Sequence, residues 1–393
     1  MTTVGLITEY NPFHNGHLYH LEQAKKLSGA KTAIAVMSGN FVQRGEPAIF
    51  DKWRRAKAAL ESGVDLVLEL PFAFAVQPGH IFAQGAVKIL SEAGVDAIAF
   101  GAEHAEWDFM ALAKIAQQAT AENTAFHTYN QTYATTFNQI IQEQTGLDLH
   151  EPNDILGLSY ALALLELGLG QQIKLYSIQR QQANYHDAEL QNGTIASATA
   201  IRQALQQASG QTDEFVPQAT AQMIAQGKQV SEYQSKFFNL LKYKVLTTPL
   251  NELIQIYQLD DGLANRLHTT IETTANEIDL TWEEFAQLFK SKRYTYSRLQ
   301  RNLLYTILNI STSEMHTAMQ QPYLRVLAVN ENGRQHLKKQ RQQIEIPVIN
   351  KIDKDMLTGI LNLDYRAGRL YELIEDDRFK TQSQDTGRIP YQI

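Results

Sequence analysis

The sequence predicts an α/β protein: a doubly wound parallel sheet followed by a mainly helical C-terminal region that contains a small α/β unit. Three observations carry this expectation. The first hundred residues alternate apolar, β-rich runs with stretches of helical spacing, and that alternation argues parallel strands joined by helical crossovers. Each run is apolar at successive positions, as a sheet covered on both faces requires. Beyond residue 213 the pattern turns helical, until a strand–helix–strand signature returns near 323.

Taken in order, the expected strands are VGLITEY (4–10), TAIAVMS (32–38), LVLELP (66–71) and AIAFG (97–101). Between them Leu18, Leu21, Ala24 and Leu27, and then Trp53, Ala56 and Leu60, recur at helical intervals. Residues 108–168 read as helical, and the stretch 153–168 offers Asn153 as N-cap and Gly168 as stop. IKLYSIQR (173–180) is a further strand, and IASATAIRQALQQ (195–207) opens another helix on a serine and a threonine. The polar, Pro-terminated ASGQTDEFVP closes a first domain, giving an expected division into 1–210 and 211–393. Residues 213–320 form consecutive helices without an internal repeat. YLRVLAV (323–329), GRQHLKKQRQQ (333–343) and IPVIN (346–350) form the small α/β unit, and the polar tail 376–393 is expected to be loosely held.

Composition excludes several chemistries. The chain has 393 residues, 44% of them hydrophobic, and no cysteine, which rules out disulfides, thiolate metal sites and a cysteine nucleophile. No run of eighteen apolar residues occurs, and the longest candidate (66–76) carries Glu69. A strand begins almost at residue 1, leaving no room for a secretory leader, so a cytoplasmic protein is expected. The net charge of −7 does not advertise nucleic acid, yet it hides local basic runs.

Three of the eleven histidines, His14, His17 and His20, lie where the first strand hands over to the first helix. In open α/β sheets ligands sit beyond the carboxyl ends of the strands, where a helix N-terminus offers free N–H groups to anions. Gly16 lets backbone approach a ligand, and the flanking His14 and His17 carry donors suited to phosphate oxygens. Two histidines at i, i+3 with no third ligand nearby give no metal site. His20, a turn inside the helix, suits packing as well as chemistry. Asn153 serves equally as a cap or a ligand contact, and Arg180 could equally pair with a carboxylate. DKWRRAK (51–57) reads either as a solvated first helical turn or as a functional basic surface.

The pattern His14-Asn15-Gly16-His17 resembles the signature of the nucleotidylyltransferase superfamily, whose sheet is Rossmann-like. IASATAIR, with Ser197, Thr199 and Arg202, resembles that superfamily's second element, which holds the β and γ phosphates. The longer strings EYNPFHNGHLYHLEQAK, VMSGNFVQRGEPAIFDKWRRAKAAL, VDLVLELPF and PNDILGLSY resemble the tRNA(Met) cytidine acetate ligase family. That resemblance implies an enzyme that uses ATP, with Mg²⁺ accompanying the nucleotide, to convert acetate to acetyl-adenylate. It then acetylates the exocyclic amine of the wobble cytidine of elongator tRNA(Met). His14, His17 and Arg202 are the implied catalytic groups. The implied ATP loop is Ile7, Thr8, Glu9, Tyr10, Asn11, Pro12, Phe13, His14, Asn15, Gly16, His17, Leu18, Tyr19 and His20, completed by Gly101, Asn153, Arg180, Ser197 and Thr199. A tRNA substrate gives the basic runs a use: Lys290, Lys292, Arg293, Arg298 and Arg301, interleaved with Tyr294 and Tyr296, and Lys338, Lys339 and Arg341. Two other readings stay open, a small-molecule adenylyltransferase of the same superfamily and a non-catalytic RNA-binding protein.

Overall fold

The computed structural model describes residues 2–122, 133–181, 194–207, 212–227, 230, 233–274, 280–291, 294–375 and 383–393. Its strands are β1 (Thr3–Thr8), β2 (Thr32–Ser38), β3 (Leu66–Leu70), β4 (Ala97–Ala102), β5 (Lys174–Gln179), β6 (Leu324–Val329), β7 (Val348–Ile349) and β8 (Tyr391–Gln392). They form one sheet in the order β5-β4-β1-β2-β3-β6-β7, with β8 also on β6. The first five are mutually parallel, whereas β6 runs antiparallel to β3.

Strand order reverses between β1 and β4, and the two faces of the sheet follow from the pleat. In β2, Ile34 and Val36 point to one face, where Leu66, Leu68, Ile98 and Phe100 meet Phe82, Ala86 and Leu90 of the helix Gly79–Glu92 and Leu158 of Pro152–Glu166. Ala33, Ala35 and Met37 point the other way, onto Leu21 and Ala24 of Asn15–Ser28 and Trp53, Ala56 and Leu60 of Lys52–Glu61. Burial on both faces explains why every strand reads as a continuous apolar run. A third core holds the helices after residue 233, where Phe237, Phe238, Trp282, Phe285 and Leu303 pack on Phe41, Phe72 and Val76 beyond the ends of β2 and β3.

Several sequence expectations need correction. The first strand stops at Thr8, because Tyr10 takes φ +46 and turns the chain; the Asn11–Pro12 peptide is cis. Asn153 is not the cap of its helix. Glu151 holds the cap position, Pro152 opens the helix, and Glu103 receives the free Asn153 and Asp154 N–H groups from outside, at 3.1 and 3.2 Å. The helix ends at Glu166, and Gly168, at φ +69, supplies the left-handed residue after it.

The strand–helix–strand unit forms, as β6, the helix Glu331–Gln340 and β7, but it is no separate unit: β6 pairs with β3 and extends the first sheet across residue 210. The tail is not loose over 383–393, since Asp385 is buried between Lys52 and Arg325, and Tyr391 pairs with Ala328. Nor is DKWRRAK a solvated turn. Lys52 and Arg55 are buried, Lys52 on Glu69 and Asp385, and Arg55 on the carbonyls of Glu9, Ser38, Gly39 and Phe50.

Candidate active site

A cleft of about 500 Å³ opens where the strand order reverses, beyond the carboxyl ends of β1, β4 and β5. Helix starts ring it: Asn15–Ser28, Pro152–Glu166 and Ala198–Gln206 each present an N-terminus. The positive ends of these helices favour anions in the cleft, although Glu103 already takes the first free N–H groups of Pro152–Glu166.

His14 caps the first of these helices. Its Nδ1 accepts the Gly16 N–H at 3.0 Å, and His17 Nδ1 accepts the His14 N–H at 3.2 Å. Each ring nitrogen that accepts cannot carry the proton, so both imidazoles are Nε2–H tautomers with the donor left for a ligand. The rings lie 3.7 Å apart, and Gly16 is required beneath them because a Cβ there would come within 2.8 Å of His14 Cε1. Both are neutral. Burial and the guanidinium groups of Arg180 and Arg202 lower His14 to about 3, and burial with His14, His20 and Arg180 holds His17 well below its usual range.

Positive charge comes from Arg180 and Arg202, with Arg44 on a further wall. Arg202 donates to the Asn11 carbonyl (2.9 Å) and to Thr199 Oγ1 (3.1 Å), clamping the histidine loop to the helix that Ser197 caps through the Ala200 N–H. Arg180 follows β5 and faces Glu103 at 3.7 Å; the Glu103 carboxylate also takes the Asn153 side chain at 2.5 Å. Glu103 therefore sets the positions of Asn153 and Arg180 together. Asp154 answers by accepting the Glu103 and His104 N–H groups at 2.9 and 3.1 Å.

A family model described as HIGH Nucleotidyl Transferase matches residues 1–386. A tRNA(Met) cytidine acetate ligase of Leuconostoc mesenteroides is 47% identical over 394 residues, covering 99% of this chain and 99% of that one. The chain belongs to the tRNA(Met) cytidine acetate ligase family. Another member, from Limosilactobacillus reuteri, is 46% identical and covers 95% of this chain and 96% of its own. Among solved structures, apo Thermotoga maritima TmcAL superposes with a TM-score of 0.85 at 28% identity, covering 100% of both chains. TmcAL bound with alpha-thio ATP gives 0.84 at 28% identity, again over 100% of both.

Within this ligase-family fold the residues expected in the nucleotide loop divide. Ile7, Thr8, Glu9, Tyr10, Asn11, His14, Gly16, His17, Tyr19 and His20 line the cleft, as do Gly101, Asn153, Arg180, Ser197, Thr199 and Arg202. Pro12 and Phe13 do not: both are buried, and the Phe13 ring supports Tyr10 and His17 from behind at 4.7 and 5.6 Å. Leu18 packs on the sheet core. Asn15 does not line the cleft; it donates to the carbonyls of Thr194 and Glu214 at 2.8 and 2.9 Å, fastening the segments around the helix Ala198–Gln206 to the histidine loop.

The sequence reading missed a whole wall. Val42, Gln43, Arg44 and Glu46, from the turn between β2 and its helix, line the cleft with Phe82, Phe100, Leu156 and Tyr160. Gly45 at φ +88 shapes that turn, and the Arg-Gly-Glu-Pro string was the one local signal for it.

The basic runs also separate. Lys290 is exposed and Arg298 half-buried, its guanidinium 4.5 Å over the Tyr294 ring. Lys292 and Arg293 lie outside the described residues. Arg301 is buried against Gly45, so it cannot meet RNA directly. Lys338, Lys339 and Arg341 are exposed but sit at the other end of the sheet. Their helix packs through His336 on the Ala93 carbonyl (2.6 Å) and Thr3 (3.3 Å), at the start of β1, about 17 Å of strand from the cleft.

The depressed histidines predict acid lability. Between the usual value of 6.5 and about 4 for His20, the unfolded chain binds a proton that the folded chain does not. Their stabilisation is complete above 6.5 and is lost as pH falls. His20→Gln is expected to flatten the fall of melting temperature between pH 6.5 and 4.5, with little change at pH 8; an unchanged slope would remove His20 from the account.

Proposed function

We propose that this chain uses ATP to activate acetate as acetyl-adenylate and transfers the acetyl group to the exocyclic amine of the wobble cytidine of elongator tRNA(Met). The observation that carries the reading is the histidine pair: two neutral imidazoles whose Nδ1 atoms are committed to backbone N–H groups, leaving two fixed Nε2–H donors at a helix N-terminus. Family membership supports the substrates.

An acetate carboxylate must approach a polyanion, so alignment and charge neutralisation dominate the first step. Arg180 and Arg202 attract the phosphates. His14 and His17 donate to oxygens of the α-phosphorus as charge builds on them, and pyrophosphate departs toward Ser197, Thr199 and the helix they open. Mg²⁺ would travel with the triphosphate and neutralise it. Among the described residues no group of three histidines or carboxylates could hold an ion by itself, so the ion would come in with the nucleotide's own phosphate oxygens.

In the second step a wobble base leaves its stack to enter the cleft, at a cost of a few kcal/mol. We assign the RNA approach to the side of the molecule where Arg44 lines the cleft, with Lys290 and Arg298 of the C-terminal helices as further basic groups, and not to Lys338, Lys339 and Arg341. No helix among the described residues is long and apolar enough to cross a membrane, and a tRNA substrate fits a cytoplasmic enzyme.

The test is mass spectrometry of nucleosides from unmodified elongator tRNA(Met) incubated with the protein, ATP, Mg²⁺ and labelled acetate. Labelled acetylcytidine that forms only with ATP is expected. ATP split to AMP and pyrophosphate without acetylcytidine would point to another acceptor.

A further inference from the structure

The histidines leave the second step without a base. Both Nδ1 atoms accept backbone N–H groups and both Nε2 atoms carry protons, so neither ring can take a proton from the attacking amine. Yet the cytosine amine is conjugated with its ring and is a weak nucleophile until a proton is removed. Two carboxylates line the cleft, Glu9 and Glu46.

Glu9 is the better placed. It directly follows β1 at the reversal of strand order, five residues before His14. Its main-chain carbonyl is held by Arg55 at 2.6 Å, and Oε1 accepts the Gln43 N–H at 2.8 Å. That orients the carboxylate and leaves Oε2 to receive a proton. Glu46 instead accepts from Gln300 at 3.3 Å on the side of the C-terminal helices. His20 also lines the cleft, but its Nε2 is buried without a hydrogen-bond partner and so is not presented to an incoming amine. Phe82, Phe100, Leu156 and Tyr160 line the cleft with Glu9, a wall suited to a flipped pyrimidine.

We propose that Glu9 is the catalytic base that accepts the cytosine amine and takes its proton during acyl transfer; this rests on the reaction proposed above. Carboxylates are the groups that recognise the cytosine N4 amine. As N4 attacks the acetyl carbonyl, the C–N bond forms and the N4 proton passes to Glu9 Oε2. The carbonyl–oxygen bond to adenylate then breaks, AMP leaves with that electron pair, and the Glu9 proton is later lost to solvent. Burial raises the Glu9 pKa above the ordinary carboxylate range, and Glu46 adds to the rise; the Gln43 N–H, Arg202 and Arg55 oppose it. Tyr160, also facing Glu9, stays protonated because burial raises it.

The experiment separates the two half-reactions in Glu9→Gln, whose amide oxygen can still accept the Gln43 N–H. Acetate-dependent ATP–pyrophosphate exchange reads the first step, and single-turnover transfer of labelled acetyl from preformed enzyme-bound acetyl-adenylate to unmodified tRNA(Met) reads the second. Transfer is expected to fall by about 100-fold or more, with exchange falling less than about tenfold. The acidic limb of the transfer–pH profile should vanish. Transfer and exchange falling by the same factor, or transfer kept within about tenfold, would overturn the assignment. Wild-type protein that exchanges no pyrophosphate with acetate would overturn the parent reading instead. Should Glu9→Gln fail to show ATP-dependent thermal stabilisation, Glu9→Asp takes its place: its withdrawn carboxylate should slow transfer about tenfold and keep the pH limb, and full-rate transfer would again refute the proposal.

Discussion

His14→Asn lowers acetate-dependent ATP–pyrophosphate exchange by about 10²–10³-fold, the usual consequence of deleting one fixed donor to developing negative charge. Its melting temperature moves by only about 1–2 °C, because asparagine is itself a good N-cap and its side-chain oxygen can take over the Gly16 N–H. What is lost is the Nε2–H, which the shorter side chain cannot replace. His14→Ala removes the cap and the donor together, so it shows the same kinetic defect and an added loss of about 1 kcal/mol of stability. His17→Ala gives a comparable kinetic loss and also strips the His14 N–H of its acceptor. Exchange surviving in His14→Asn would mean that the imidazole serves the backbone alone. Exchange and melting temperature falling in proportion across the series would assign the effect to helix fraying.

The contrast between cap and donor marks how far the sequence could be read. The histidine loop was legible because it is local: a strand, a glycine and a helix start lie within twenty residues, and the chemistry follows from that handover. The parallel strands were legible for the same reason, since burial on both faces writes itself into each run. Contacts across the chain left no such trace. Asn153 looks like a cap, but Pro152 already opens the helix before it, and the partner that its side chain takes instead, the Glu103 carboxylate, lies fifty residues earlier. Phe82 and Tyr160 read as core residues of their helices, and their place on the cleft wall depends on how the crossovers pack. Charge carried the least address. Lys338 and Lys339 look as basic as Lys290, yet His336 anchors their helix at the far end of the sheet. Most of all, DKWRRAK is hydrophilic and its partner Asp385 sits in a polar tail 333 residues away, so the sequence offers no sign that both are buried.

That buried pair leads to the largest expected loss of stability. Lys52 Nζ contacts Glu69 and Asp385 at 2.8 Å each, and Arg325 Nη1 contacts the same two carboxylates at 3.0 and 2.7 Å, while its guanidinium stands 5.4 Å over the Trp53 ring. Two cations thus balance two anions, with all four side chains shielded from water. Lys52→Met keeps most of the volume and removes one charge, leaving two carboxylates to share Arg325. Breaking a buried pair in this way costs about 3–5 kcal/mol, which denaturant titration at pH 7 should record. The loss comes from uncompensated charge, so Glu69→Gln added to Lys52→Met should return part of it, with a coupling of about 0.5–3 kcal/mol. Simple additivity of the two losses would show that packing, and not charge, holds the knot. The same variant should loosen the tail around Asp385, which loses one of its two partners, while Arg325, the Trp53 Nε1–H bond to the Gln384 carbonyl (2.7 Å) and the pairing of Tyr391 with Ala328 still hold it. Activity at 25 °C should nevertheless persist, because Arg55 and not Lys52 holds the Glu9 carbonyl in the cleft; activity falling in step with stability would show that the knot also shapes the site.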